Sequence, residues 1–247
     1  MAYEREPSLM TWDTEHFGFK IASFGPKEHS DIAPAMQFAR SQDVKLVIAR
    51  CPVENGPIVQ ALQKTGFLLM DTLVRYHFIF GKKELPVDTG GIPVRPVRPE
   101  DVPSVGKIAG ASFKGYGGHF HNDPKLDKGK CDELYVKWAI NSCRDKKVAN
   151  EVFVADDHGE VLGFITAKKI SEEAGDGVLA CVGPKAQGNG IYRSFIVKVM
   201  HWCHEEGLKR MELGPLVNNY AVQRVWQRLG FEIYASTHTF HLWLENI

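Results

Sequence analysis

Residues 181–194, CVGPKAQGNGIYRS, set two glycines, Gly188 and Gly190, between an apolar run ending at Val182 and an apolar-striped segment opening at Ile191. A strand that passes through glycines into a helix suits a phosphate. Glycines let successive backbone N–H groups turn toward one point, and the helix N-terminus adds about half a positive charge there. A Walker loop needs G-x-x-x-x-G-K-[ST], and a dinucleotide fold needs G-x-G-x-x-G early in a βαβ unit with an acid about 20 residues on. Neither is present. What stands here is V-x-P-x-x-Q-G-x-G-I: Val182, Pro184, Gln187, Gly188, Asn189, Gly190, Ile191. That geometry suits a pyrophosphate, but a ligand-free strand-to-helix turn has the same spacing, so the glycines alone leave both open.

Working outward, apolar periodicity predicts a helix over about 190–206, the strand KRMELG, the helix NNYAVQRVWQRLG and paired strands in FEIYASTHTFHLWL. Upstream it predicts the strand PVRPV, a helix in PEDVPSVGKIAGAS, a loop rich in glycine and histidine and a helix in DELYVKWAINSC. A hairpin turning at Asp157, His158 and Gly159 and the strand GVLACV follow. GKKELPVDTGGIP, residues 81–93, gathers glycine, proline and charge and marks a linker, dividing the chain into 1–88 and 89–247. Before it stand KIASFG, DIAPAMQFARSQ, KLVIAR, GPIVQALQKTG and FLLMDTLVRYHFIF, which alternate strand and helix. The expected class is α/β with a mixed sheet.

An internal echo links the halves. Displacing VENGPIVQALQKTGF (53–67) by 164 positions sets it on VNNYAVQRVWQRLGF (217–231), matching Val53 with Val217, Asn55 with Asn219, Gln63 with Gln227 and Gly66-Phe67 with Gly230-Phe231. Shared periodicity would by itself reproduce the apolar matches. The first half has no counterpart to QGNG, so its expected role is structural or dimerising, and a homodimer is the expected assembly.

Composition narrows the partners. The 30 basic and 30 acidic residues cancel, which gives no net field for nucleic acid or an anionic membrane, and 44% apolar residues suffice for a buried core. No stretch approaches the roughly 18 to 20 apolar residues of a membrane span, and MAYEREPSLM lacks the pattern of an export signal, so a cytoplasmic location is expected. The five cysteines are scattered without a Cys-x-x-Cys and are expected to be reduced thiols.

The glycine loop, followed by a helix, a strand and N-x-A-x-x-x-x-W-x-x-x-G-F, closely resembles the GNAT superfamily of acetyl-CoA-dependent N-acetyltransferases over about residues 92–247. The resemblance implies a GNAT fold, preceded here by a smaller, partial GNAT-like half, with acetyl-CoA as cosubstrate. It implies that the strand before the loop splays from its neighbour to admit the pantetheine arm. Cys181, Val182 and nearby backbone would line that arm; Gln187, Gly188, Asn189, Gly190, Ile191 and Tyr192 would hold the pyrophosphate; Asn219 would contact the arm. Backbone N–H near Val182 would stabilise the oxyanion. SLMTWDTEHFGFKIASF, HFHNDPKL, LYVKWAINS and THTFHLW are further similar to the TDP-fucosamine acetyltransferases of bacterial surface-polysaccharide synthesis. That likeness implies a nucleotide-linked amino sugar as the small-molecule acceptor; an antibiotic, polyamine or amino acid is the alternative acceptor, and a weakly catalytic acyl-CoA sensor the alternative function.

Two positions depart from the family pattern. A tyrosine proposed to protonate the leaving thiolate usually sits four residues before the Gly-Phe glycine; here that residue is Trp226. Indole N–H donates a hydrogen bond but transfers no proton at neutral pH. With a thiol pKa of about 8.5 and a phenol of about 10, full transfer from tyrosine is uphill by roughly 2 kcal/mol, so the thiolate leaves fairly well unaided. Trp226 also belongs to an apolar stripe with Val222, Val225 and Leu229, which is the pattern of core packing. Tyr192 stands where the family has a small residue.

The histidine loop GGHFHNDP offers His119, His121 and Asp123. His-x-His is a possible metal spacing, but the sequence supplies no third and fourth ligand, and no metal is expected. An ordinary exposed loop is the plain alternative. In the resembling enzymes this loop covers the acceptor site, which implies acceptor contacts from His119, Phe120, Asp123, Tyr135, Trp138 and His238. Amine attack on a thioester needs a base, and His121, oriented by Asp123, is the expected one, with His238 and His241 as alternatives on opposite sides of their strand.

Overall fold

The computed structural model describes residues 5–244. The first half runs β1 Ser8–Leu9, α1 Thr11–Phe17, β2 Ile21–Phe24, α2 Ile32–Ser41, β3 Leu46–Pro52, α3 Gly56–Lys64 and β4 Leu68–Ile79. The second runs β5 Val94–Pro96, α4 Val102–Ser112, α5 His119–Asn122, α6 Lys128–Arg144, β6 Glu151–Asp157, β7 Glu160–Lys169, β8 Ala174–Asp176 and β9 Ala180–Val182, then α7 Ile191–Glu205, β10 Arg210–Leu213, α8 Tyr220–Arg228 and β11 Glu232–Trp243. No helix among the described residues is long and apolar enough to cross a membrane.

Local chemistry explains most boundaries. Asn219 Oδ1 accepts from Val222 N–H at the start of α8, and Asn55 does the same for Ile58 at the start of α3. The β6–β7 hairpin turns through His158 at φ 50° and Gly159 at φ +93°, the positive pair of a tight primed turn. Differences from expectation fall where tertiary pairing overrides pattern. FEIYASTHTFHLWL forms one bulged strand, β11, because β3 and β4 pair with its two edges. GVLACV is only half strand: β9 takes its last three residues, and 177–179 lie between β8 and β9 outside both. Helix α1 carries no side-chain cap, and α5 is a single turn inside the expected loop.

The strands form one mixed sheet in the order β1-β2-β3-β11-β4-β10-β8-β7-β6-β5, with β9 on β7. The repeat is visible in it. Helices α3 and α8 begin and end 164 positions apart, as do β4 and β11. Each long strand leaves its own repeat and pairs with the strand of the other: Leu46↔Trp243 across β3 and β11 corresponds to Arg210↔Ile79 across β10 and β4. The two exchanged strands lie side by side and join the halves into one sheet. Helices α7 and α8 pack on one face around Phe195, Met200 and Trp226. Helices α4 and α6 cover the other around Val105, Leu134 and Phe164. Full burial of a residue such as Phe164 contributes about 1.5–3 kcal/mol.

Candidate active site

A gap in the sheet forms the core of the site. β8 pairs with β10 through Arg210↔Ala174, Met211↔Gly175 and Glu212↔Asp176, and beyond Asp176 the two separate; β9 continues on β7 alone. Strand alternation then determines which amides face the gap. Leu179 O accepts from Thr166 N, and Gly183 N donates to Leu162 O, so in an antiparallel ladder Leu179, Cys181 and Gly183 direct their backbone groups to β7. Ala180 and Val182 direct theirs the other way, into the gap. A cavity of about 340 Å³ fills it, walled by Gly177–Ala180, by Gly214–Leu216 beyond β10, and by Tyr192, Asn219 and Trp226 from the two helices.

The glycine loop follows the end of β9, and Tyr192, in the first turn of the helix it opens, lines the cavity. Gly188 (φ +87°) and Gly190 (φ +77°) adopt the left-handed backbone that glycine alone takes without strain. Gly190 caps α7, whose first intrahelical bond comes from Ser194 N–H, so the N–H groups of residues 191–193 have no partner within the helix. Gln187 and Asn189 are exposed, Ile191 is buried beneath the loop, and Gln187 Nε2 donates to Val182 O, tying the loop to the strand end. Such a run of free amides at a helix start holds phosphate oxygens.

The far end of the gap holds a hydrogen-bonded chain that sequence reasoning assembled differently. Asp123 is buried and accepts from His241 Nδ1 at 2.8 Å and from Trp243 Nε1 at 2.8 Å. Burial opposes its charge, yet the bonds from His241, Lys125 N–H and Trp243 hold its carboxyl below the usual range. His241 Nε2 lies 2.9 Å from His119 Nδ1, and His119 Nε2 lies 3.1 Å from Arg50 Nη2. With Asp123 ionised, His241 Nδ1–H donates to it; His241 Nε2 then accepts from His119 Nδ1–H, and His119 Nε2 is left as an acceptor. Burial, reinforced by Arg50, holds the His119 imidazole well below its ordinary pKa, so it stays neutral. Burial lowers His241 too, against the pull of Asp123.

Asp123 therefore orients His241, not His121 as expected. His121 instead bonds Asp132 Oδ1 at 2.8 Å through Nε2, and its buried Nδ1 has no partner. The reason is helical: α5 winds residues 119–122 into a turn, and side chains two apart on a helix point to different sides. His238 bonds Thr72 Oγ1 at 2.9 Å. Cys181 is buried in the core, with its backbone turned to β7. Phe120, Tyr135 and Trp138 gather with His119, Trp12 and Asp13 around a larger cavity of about 760 Å³ that adjoins the gap, sharing Arg50, His119, Tyr135, Trp138 and Val178 with it.

Sequence reasoning missed Arg50, Asp13 and Asp71. Burial pushes the Asp13 carboxyl up to about 6 and raises that of Asp71, whose Oδ2 accepts from His119 N–H at 2.8 Å. All three come from the first half, where no local pattern distinguishes them from ordinary surface charge. Trp226 is 3% exposed, packs edge-on against Tyr76 with centroids 5.4 Å apart, and turns its buried Nε1–H toward Tyr192 without a close hydrogen bond among the described residues. It is thus both a core residue and a donor on the cavity wall.

Comparison with known proteins agrees with this geometry. Residues 119–231 match the model of the acetyltransferase (GNAT) family. Over 148 residues the chain is 23% identical to the spore coat polysaccharide biosynthesis protein SpsD of Bacillus subtilis (strain 168), covering 60% of this chain and 50% of that one. The chain thus matches only about half the length of this curated relative. Among solved structures it resembles a GCN5-related N-acetyltransferase from Sphaerobacter thermophilus, with TM-score 0.65 and 12% identity over 97% of this chain and 76% of that one. It also resembles a tandem GNAT protein from the clavulanic acid biosynthesis pathway, with TM-score 0.62 and 12% identity over 92% and 76% of the two chains. The chain has the GNAT fold, and its segment 119–231, from the histidine helix to the Gly-Phe turn, matches the acetyltransferase (GNAT) family model.

Proposed function

We propose that this protein transfers the acetyl group of acetyl-CoA to the amine of a small molecule, a nucleotide-linked amino sugar. The observation that carries the reading is the single cavity that runs from Tyr192, in the first turn of the helix the glycine loop opens, along Ala180 in the gap between β9 and β10, to His119. Acetyl-CoA supplies an acyl group activated as a thioester. The amides of residues 190–193 hold its pyrophosphate, Val182 and Asn219 border the arm, and the Ala180 N–H meets the oxygen that becomes negative when the amine attacks. His119 Nε2, with the amine N–H in the place that Arg50 Nη2 now fills, accepts the proton lost as the C–N bond forms. His241 and Asp123 steady the resulting imidazolium. Trp226 Nε1–H donates a hydrogen bond to the sulfur as the C–S bond breaks.

The larger cavity supports the acceptor assignment. Trp12, Tyr135 and Trp138 offer flat faces, and Arg144, Lys147 and Lys168 offer charge for phosphates. The relative's part in polysaccharide synthesis supports a sugar amine. Acceptor preference tests the reading: kcat/KM is expected to be highest for nucleotide-linked amino sugars, and turnover of polyamines or amino acids with none of nucleotide sugars would refute it.

A further inference from the structure

His119 Nε2, the nitrogen an acceptor amine must reach, is met by an N–H of a permanent cation, Arg50 Nη2 at 3.1 Å. The guanidinium there stands in for the nitrogen that donates to His119 in the working enzyme. Its surroundings therefore describe what that position accepts, and they are anionic. Asp13 lines the larger cavity with Arg50 and His119, and Asp71 lines the gap with the same two residues.

Strand register positions Asp71. Arg50 on β3 is paired with Thr239 on β11, and Thr239 with Asp71 on β4, so the three form one row on one face of the sheet. Helix α5 lies on that row: the His119 N–H donates to Asp71 Oδ2 at 2.8 Å while its ring meets Arg50. Asp71 Oδ1 is buried beside Thr239 without a close hydrogen bond among the described residues. A carboxylate taken out of water is stable only beside a cation. Burial raises both the Asp13 and the Asp71 carboxyl, and Arg50 opposes it in each. The row is peculiar to the first half, since 164 positions beyond Arg50 and Asp71 stand Gly214 and Ala235, which carry no charge.

Resting on the acetyl-transfer reading, we propose that Asp71 and Asp13 select the acceptor by charge: they bind it as an ammonium where the Arg50 N–H now stands, and disfavour a sugar with a hydroxyl there. The guanidinium then turns into the larger cavity, which it also lines and into which the acceptor brings phosphates. One proton of the ammonium leaves to water before attack, and His119 takes the next as the C–N bond forms. Calorimetry on the full chain loaded with CoA tests this with two probes, TDP-fucosamine and TDP-fucose, which carries a hydroxyl in place of the amine. Wild type is expected to bind the amine at least about tenfold more tightly, and Asp71→Asn, which keeps an oxygen for the His119 N–H, to bring the two within about threefold by weakening the amine alone. Asp13→Asn should narrow the ratio in the same direction. Equal affinities in wild type, a preference that survives both substitutions, or parallel losses for both sugars in Asp71→Asn, as a merely structural carboxylate would give, would overturn the proposal and leave the acetyl-transfer reading standing. Binding of neither sugar would overturn the nucleotide-sugar acceptor and this selection with it.

Discussion

His119 and His121 are two positions apart and have different partners: one joins a buried chain to Asp123, the other a single carboxylate at the rim. His119→Gln is expected to lower kcat by about 10²–10⁴, the usual contribution of a positioned base. His121→Gln should change kcat by no more than a few-fold. Steady-state rates of both variants decide between them; equal losses would contradict the assignment. The His-x-His motif was legible in the sequence, but its partner was not, because His241 lies 122 positions away on a strand whose neighbours only the assembled sheet defines. Trp226→Phe removes the indole N–H and keeps an aromatic ring in the core. A several-fold loss of kcat with KM for acetyl-CoA little changed is expected; full retention would show that the N–H takes no part.

Elements were easier to read than their pairings. The glycine loop, helix α7 and the Asn-capped helix α8 lie where periodicity and capping chemistry set them. The gap between β9 and β10 is a failure of pairing, and no apolar pattern records which strand a backbone N–H will miss. Gly188→Asp sets a side chain at φ +87° and a carboxylate beside the amides proposed to hold phosphate, and at least a tenfold loss of CoA affinity is expected by calorimetry. Unchanged affinity would refute the loop's role. The buried histidine chain bears on pH stability. His119 and His241 have lowered pKa values in the folded protein, so below the ordinary histidine pKa of about 6.5 the unfolded histidines bind more protons, and their contribution to stability falls as pH drops, while the raised Asp13 carboxyl acts in the opposite sense. The difference isolates the histidines: from pH 7.5 to 5.5 the thermal midpoint of wild type should fall relative to that of His241→Asn, and parallel profiles would contradict neutral burial.

At the scale of the molecule, the two halves are joined by exchange of their last strands: β11 fills the first half between β3 and β4, and β4 extends the second beside β10. The duplication was legible in VENGPIVQALQKTGF and VNNYAVQRVWQRLGF, since a shared helix frame and Gly-Phe turn survive in sequence. The exchange was not, because strand patterns state which face is apolar and not which edge finds a partner. Residues 89–247 expressed alone lack β3 and β4 and would expose both edges of β11, so aggregation rather than a folded half is expected by size exclusion. The exchange also explains why the first half supplies Arg50, Asp13 and Asp71 to a site whose glycine loop belongs to the second. The most direct test of the account follows thiol release from acetyl-CoA with a nucleotide-linked amino sugar, comparing wild type with Gly188→Asp and His119→Gln. Saturable release in wild type, with affinity for acetyl-CoA lost in the first variant and turnover lost in the second, is predicted; no release with any amine, or release indifferent to both changes, would contradict it.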